Sequence, residues 1–417
     1  MTERPRTPRA PGGLAATPRR RLAGADARRL LWRHHLRPGD LEGVLGRLGS
    51  LQYDPLAPLG RNVDLVLQAR VPSYRIDDWQ VAAYRQRLLV DTWDKQASLV
   101  QVHDWPMQAP FFAWFSERWR RHGIDPDAAA GAALREQLRS QGPATSLELG
   151  EQGVDPALRG SWYGPKRSRH LLRALWDSGR IVTARRVAGR HAYDLPERVL
   201  PAEVLALPAA SRQVALERLV ERRVQAAGMV RPGADASVWF LPCDRRARDE
   251  VAAALVAQGR IVPVEADGTL WWASPAALAS LEAAPVAGVR FLAPLDPLLW
   301  DRAGVRSLHQ FDYVWEVYKP AAARRWGYYV LPVAWRERFV ARFDARADHG
   351  RLTIHAWYWE GGIDAARLPS GLADDLQEAA LAFMRYLGAF QVRLPAGLGR
   401  AARAAWQAAA RRAAQSA

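Results

Sequence analysis

Three things are scarce in this chain. Of 417 residues, one is a cysteine, Cys243. A lone thiol excludes an internal disulfide and a thiolate metal cluster. Lysine is nearly missing: Lys95, Lys166 and Lys319 are the only lysines among 59 basic residues. Apolar runs are short, none near the roughly 18 residues that a membrane span needs. The first 21 residues also lack the apolar stretch of a secretion signal. His34, His35 and His103 stand apart from any convincing ligand spacing, so neither a metal nor another cofactor is expected. These absences point to the cytoplasm, and nothing demands more than a monomer.

What the chain has instead is arginine. Its 59 basic and 43 acidic residues give a net charge of +16. Such a surface attracts polyanions, nucleic acid first. The planar guanidinium adds bidentate contact with phosphates and guanines. With 49% hydrophobic residues the chain can bury sizeable cores, and its length allows two to four domains.

The chain is organised around Leu51-Gln52-Tyr53-Asp54-Pro55. In an extended segment this spacing puts the tips of Gln52 and Asp54 on one face and Tyr53 on the other. An amide and a carboxylate aimed the same way can hold and direct a water. In a basic, DNA-directed protein that is the minimum equipment for hydrolysing a glycosidic bond. The plainer reading is that Asp54-Pro55 starts a turn which Gln52 decorates. The local sequence leaves both open.

Taken in order, Met1–Arg21 reads as a disordered basic arm. Helices are expected over Ala25–Leu36 and, after the stop and cap in Pro38-Gly39-Asp40, over Leu41–Leu48. A further helix covers Ile76–Arg87, and Leu88–Gln101 is extended. Asp104–Arg121 carries an aromatic stripe at helical spacing, read as core rather than as a platform for bases. A repeat follows. Leu171–Leu175 leads to Gly179-Arg180-Ile181-Val182, and Val251–Leu255 leads to Gly259-Arg260-Ile261-Val262. Each amphipathic helix ends at a glycine cap, then a short strand, a turn (Ala188-Gly189, Asp267-Gly268) and a second strand. That is the latter half of a winged helix. The earlier half comes from Ala128–Arg139 and Ser146–Glu151 in one copy and Arg212–Ala227 in the other. Leu45–Gln52 reads as a worn third copy, with Gln52 and Asp54 at the base of its wing. The DNA-binding candidates are Lys166, Arg167, Arg169 and Arg173 on one helix and Arg185, Arg186, Arg190 and His191 on the following hairpin.

Beyond Val286 the texture changes. Tyr328–Leu331, Arg338–Phe343 and Leu352–Trp359 read as strands of a small antiparallel unit. Leu372–Leu387 is a helix, and Gly397–Ser416 a terminal helix packed on one side. The boundaries expected are an arm over 1–24, a first winged-helix region with the candidate motif over 25–124, and winged helices over 125–205 and 206–285. A β-rich unit with a helix covers 286–394, and the last helix 395–417.

Three blocks together resemble the winged-helix DNA glycosylases of the AlkZ/YcaQ type. They are Gln52-Tyr53-Asp54, Tyr193–Pro201, and the run from Leu295-Asp296-Pro297 through Phe311–Tyr318 to Arg324-Arg325-Trp326-Gly327-Tyr328–Pro332. The resemblance spans about Ala25 to Leu387. It departs at His309-Gln310, where an aromatic-glycine pair is expected, and at Ala323 and Ala341. The resemblance implies an α+β chain of tandem winged helices, three here, with a C-terminal β-barrel-like unit, curved round a DNA channel. It makes Gln52 and Asp54 catalytic and adds Arg324 and Arg325 to the DNA-binding candidates. Asp at the second motif position resembles the YcaQ branch, which excises N7-alkylguanine and unhooks N7-linked interstrand crosslinks. The partner implied is damaged double-stranded DNA, with the protein at the nucleoid when bound. No lysine is near Asp54 in sequence, so a monofunctional N-glycosyl hydrolase is expected. The alternative is a winged-helix regulator or architectural protein without catalysis.

Overall fold

The computed structural model describes residues 19–150, 166–208 and 210–415. Most of the expected basic arm lies outside them. Its last part does not behave as an arm: Arg20–Leu22 (β1) pairs in parallel with a later strand, Arg20 opposite Val264 and Leu22 opposite Ala266. The unpaired edge of that strand supplies backbone partners that a tail would otherwise take from water.

Among the described residues one arrangement occurs three times: helix, short strand, helical segment, hairpin. The first copy has the Leu41–Leu48 helix, Ser50–Gln52 (β2), the Asn62–Gln68 helix, and a hairpin of Leu89–Trp93 (β3) and Ala97–Gln101 (β4). The second has Ala129–Gln141, Ala144–Thr145 (β5), the Arg167–Asp177 helix, Val182–Val187 (β6) and Arg190–Asp194 (β7). The third has Arg212–Ala227, Met229–Val230 (β8), the Arg245–Ala257 helix, Val262–Ala266 (β9) and Thr269–Ala273 (β10). Each sheet has its third strand in the middle: β2-β4-β3, β5-β7-β6 and β8-β10-β9. Local chemistry sets the boundaries. Asp40, Ser211 and Asp244 accept the backbone N–H three residues on and start their helices. The Ala188-Gly189 and Asp267-Gly268 turns hold both residues at positive φ, which matches the twist of the flanking strands.

The unit expected as a worn third copy is the first of these, and it corrects the expected position of Gln52. The helix that ends at Gly49 (φ 66) is the first helix of its unit. Gln52 therefore closes the first strand, and the hairpin tip is Asp94–Gln96 instead. The confusion has a physical source: both helices of a unit stop at a positive-φ glycine before an apolar strand, as Gly228 and Gly259 show. Two other expectations change. Ile76–Arg87 is a short turn of helix, Asp78–Gln80, followed by a π-helical Val81–Arg85. Ser146–Glu148 is a turn, and Glu151 lies outside the described residues. The aromatic segment is helical and core-facing, with Phe111 and Phe115 buried.

The C-terminal sheet runs in chain order: Val289–Phe291 (β11), Val330–Trp335 (β12), Arg338–Asp348 (β13), Arg351–Trp359 (β14) and Gln391–Arg393 (β15). It curls into a half-barrel, with register irregularities at Val333/Ala334 and Asp344/Ala345. The Leu372–Leu387 and Arg400–Ala414 helices pack on it. Trp406 of the last helix is buried and stacks on Phe291 at 5.6 Å. The Gly24–Leu36 helix shares its core with Trp271, Leu292 and Val305, so it packs on the third unit and the C-terminal region.

Candidate active site

Gln52 is fixed through its backbone before its side chain is considered. β2 pairs with β4, Gln52 opposite Ser98, and the Tyr53 N–H continues the ladder to Ala97 O. The Asn62 amide clips this strand to the C-terminal region: it donates to Gln52 O at 2.8 Å and accepts from the Leu295 N–H at 3.1 Å. The long Leu295–Arg302 block thus becomes a wall of the site. Tyr53 turns into the core against Trp79, with the Arg186 guanidinium 3.7 Å above its ring. Its neighbours meet different partners, as strand alternation requires.

The buried Gln52 amide meets Lys95, a residue 43 positions away. Lys95 Nζ donates to Gln52 Oε1 at 3.4 Å and sits 5.5 Å from the Trp300 ring. Three anchors hold the hairpin tip that carries it. Trp93 Nε1 donates to Asp177, and Asp94 is ion-paired with Arg222 at 3.0 Å and Arg223 at 3.1 Å. Arg222 also reaches Asp104 at 3.0 Å, so a buried charge network pins the tip to the Arg212–Ala227 helix. Burial first, then the charges of Arg223 and Arg302, bring the Lys95 pKa down to about 7.

Asp54 is half-buried, and its Oδ1 accepts the Leu56 N–H at 3.0 Å. The plainer reading of a turn is therefore also met. Desolvation raises its pKa, and the Leu56 bond only partly offsets this. Among the described residues it makes no ion pair. The contrast with its peers is sharp: Asp91, Asp94, Asp104, Asp177, Asp296 and Asp301 each have an arginine. Asp64 has none, but it is saturated by Tyr74 Oη and the N–H groups of Arg61 and Asp77. The Tyr318 and Tyr329 hydroxyls are pushed up by burial and then by the Asp54 charge, which places both rings near it.

Tyr318 is 73% exposed and opens onto a cation-aromatic rim. Arg324 lies over Tyr328 and Arg325 over Trp326. The Asp344 carboxylate accepts the N–H groups of Tyr328 and Tyr329 and leaves no room for a side chain at Gly327, whose φ of 142 also disfavours one. The departure at His309-Gln310 is absorbed in place: Gln310 takes the left-handed conformation (φ 53) that a glycine would adopt easily.

The remaining candidates divide by exposure. Arg167, Arg169, Arg185 and Arg190 are exposed, and Lys166 is half-buried at the start of its helix. Arg173 is held by Asp177 at 2.7 Å and stacks over Trp93 and Trp176. Arg186 bonds Asp91 at 2.6 Å, Tyr84 Oη and Gly189 O. His191 bonds Thr183 Oγ1 and stacks on Tyr193. Arg173, Arg186 and His191 therefore tie the second unit to itself and to the first. Sequence reasoning missed Lys95, Asn62 and Trp300. The one available signal was the scarcity of lysine, which made each of the three worth locating.

A family model described as AlkZ-like DNA glycosylase matches residues 45–415. The solved structure of the Streptomyces sahachiroi DNA glycosylase AlkZ aligns with a TM-score of 0.59 at 15% identity, covering 90% of this chain and 99% of that one. At this identity the likeness is one of fold.

Proposed function

The chain belongs to the AlkZ-like DNA glycosylase family, and from that premise we propose that it excises N7-alkylguanine from duplex DNA and unhooks N7-linked interstrand crosslinks. The observation that carries this reading is Asp54, a half-buried carboxylate left without a cation among the described residues of an arginine-rich chain. N7-alkylation puts a positive charge on guanine, so the base leaves with little acid assistance. The protein must stabilise the cationic sugar and supply a water. Asp54 can do both, through its charge and as general base. A carboxylate about 4 Å from the developing charge, at an effective dielectric of about 20, contributes about 4 kcal/mol, or roughly 10³ in rate.

Lys95 occupies Gln52 Oε1, so Gln52 presents its Nε2 N–H groups to a water or the sugar. The three helix–strand–helix–hairpin units are read as winged helices. Their exposed Arg167, Arg169, Arg185 and Arg190, with Arg324 and Arg325 on the rim, would engage phosphates. Asp at the second motif position favours the branch that accepts crosslinks.

The test is a base-excision assay on duplexes carrying one N7-alkylguanine or one N7-linked crosslink, developed with alkali. Wild type should yield strand breaks and unhooked strands. Asp54→Asn should lose about 10²–10⁴-fold in excision and keep its DNA affinity. Retained DNA binding with no product from wild type would favour the non-catalytic reading. Equal product from both proteins would remove Asp54 from the chemistry.

A further inference from the structure

We propose that Lys95 is a nucleophile, and that the site has a second activity: cleaving the DNA strand at the abasic sugar left by excision. The inference rests on the excision reading in one respect, since it takes Gln52 to mark where C1′ of the sugar lies.

The observations are geometric first. Lys95 is 8% exposed, yet among the described residues it forms no ion pair. Its nearest carboxylate in sequence, Asp94, is already held by Arg222 and Arg223. Among the described residues Nζ has one hydrogen-bond partner, Gln52 Oε1 at 3.4 Å, and the Trp300 ring lies beneath it. A hairpin tip locked by Trp93 and Asp94 aims the amine at this one side chain. Arg223 and Arg302 oppose protonation, Asp94 and Asp235 favour it, and with burial the balance falls near pH 7. An ordinary lysine, with a pKa near 10.4, is neutral in only about 0.04% of molecules at pH 7. Lys95 gains roughly 10³ in reactive amine. Desolvation beside other cations is how a lysine is made nucleophilic. Arginine, which supplies nearly all the other basic residues, has no free lone pair to offer.

The chemistry balances without an oxidant or reductant. The Nζ lone pair adds to the aldehyde carbon C1′ of the ring-opened abasic sugar. The adduct loses one water and becomes an imine. The imine acidifies C2′, whose proton passes to water. The C3′–O bond breaks, its electrons leaving with the 3′ phosphate. One water then hydrolyses the imine, returning Lys95 and leaving an unsaturated aldehyde on one strand end and a 5′ phosphate on the other.

The experiment uses the full chain and a duplex with one preformed abasic site, so it does not depend on base excision. With sodium cyanoborohydride present, a covalent protein–DNA adduct should form and map by mass spectrometry to the Lys95 peptide. Three lysines and one α-amino group make that assignment unambiguous. Trapping should rise with pH to a midpoint near 7, and alkali-free strand cleavage should follow the same curve. Lys95→Arg should lose the Lys95 adduct and at least ten-fold in cleavage. An adduct confined to Lys166, Lys319 or the N-terminus, or trapping that rises only above pH 9, would overturn the proposal. Because the mapping uses wild type, a poorly folded variant does not weaken it. Excision without a Lys95 adduct would sink the lyase alone. A Lys95 adduct without excision of N7-alkylguanine would sink the excision reading alone.

Discussion

Arg222→Met should cost far more than one side chain's contacts. Arg222 is fully buried and holds Asp94 and Asp104 at once, each at 3.0 Å. Its stem also lies against Gly49, the residue that precedes β2. Removing one partner of a buried pair costs about 3–5 kcal/mol, because the other charge remains desolvated. Here Arg223 still serves Asp94 and Arg218 still serves Asp104, so the lower end is expected, about 3 kcal/mol. Out of a typical total of about 5–15 kcal/mol, that is a large fraction. The sign with pH follows from the carboxyls. Burial pushes the Asp94 carboxyl up, but the charges of Arg223 and Arg222 more than reverse this, and Asp104 is likewise lowered overall. Groups with depressed folded pKa values add stability that is present above the unfolded carboxyl pKa near 4 and lost as pH falls through the folded value. The gap between wild type and variant should therefore be widest at neutral pH and narrow below pH 4. Urea unfolding at pH 7 and pH 3.5 measures it. A loss under about 1 kcal/mol, or an equal loss at both pH values, would refute the idea that this network pins the hairpin tip. Excision should fall with stability held in excess, because displacing the Lys95 tip by 1 Å can cost about 10²-fold.

Two further predictions separate surface from interior and turn from catalyst. Arg185→Ala with Arg190→Ala should weaken DNA binding and reduce the slope of log K against log salt by about 1.8, whereas Arg186→Ala should leave that slope unchanged and lower stability by about 3 kcal/mol, because Asp91 loses a buried partner; a binding titration at several salt concentrations beside an unfolding curve decides both. Excision should decline as pH falls through the raised Asp54 pKa, and Asp54→Asn, which keeps an acceptor for the Leu56 N–H, should be as stable as wild type or slightly more so at neutral pH, where the desolvated charge is a cost; a lower Tm for the variant at pH 7 would show that the charge serves the fold.

The parts of the fold that were legible were those set by local chemistry. The Leu372–Leu387 helix follows from its apolar spacing and glycine flanks, and the two hairpins follow from turns needing positive φ. The Gln52–Asp54 stretch could be singled out because alternation is a local property of strands. What stayed hidden depended on partners far along the chain. β1 exists because β9 has a free edge 244 residues away, and no pattern within Arg20–Leu22 announces it. Arg173, Arg186 and His191 looked like the exposed charges beside them, and only tertiary packing against Asp177, Asp91 and Tyr193 sets them apart. Lys95 is separated from Gln52 by three helical segments and a strand, so sequence distance argued against the contact that the sheet creates.

The charges also say why the site lies where it does. In this chain arginine is abundant enough to neutralise nearly every buried acid, and such pairs cost least when complete. Among the described residues Asp54 and Lys95 break that habit in opposite directions, an acid without a base and a base without an acid, Asp54 just after β2 and Lys95 in the turn between β3 and β4. The turn at Pro55 cannot account for the charge on Asp54, because an asparagine would accept the Leu56 N–H equally well. Nor does packing explain Lys95, since a methionine would cover Trp300 without a buried amine. Unpaired groups that lower stability and that simpler residues could replace are the expected mark of chemistry. That argument reaches Asp54 and Lys95 by the same route, and it holds for each independently of the other.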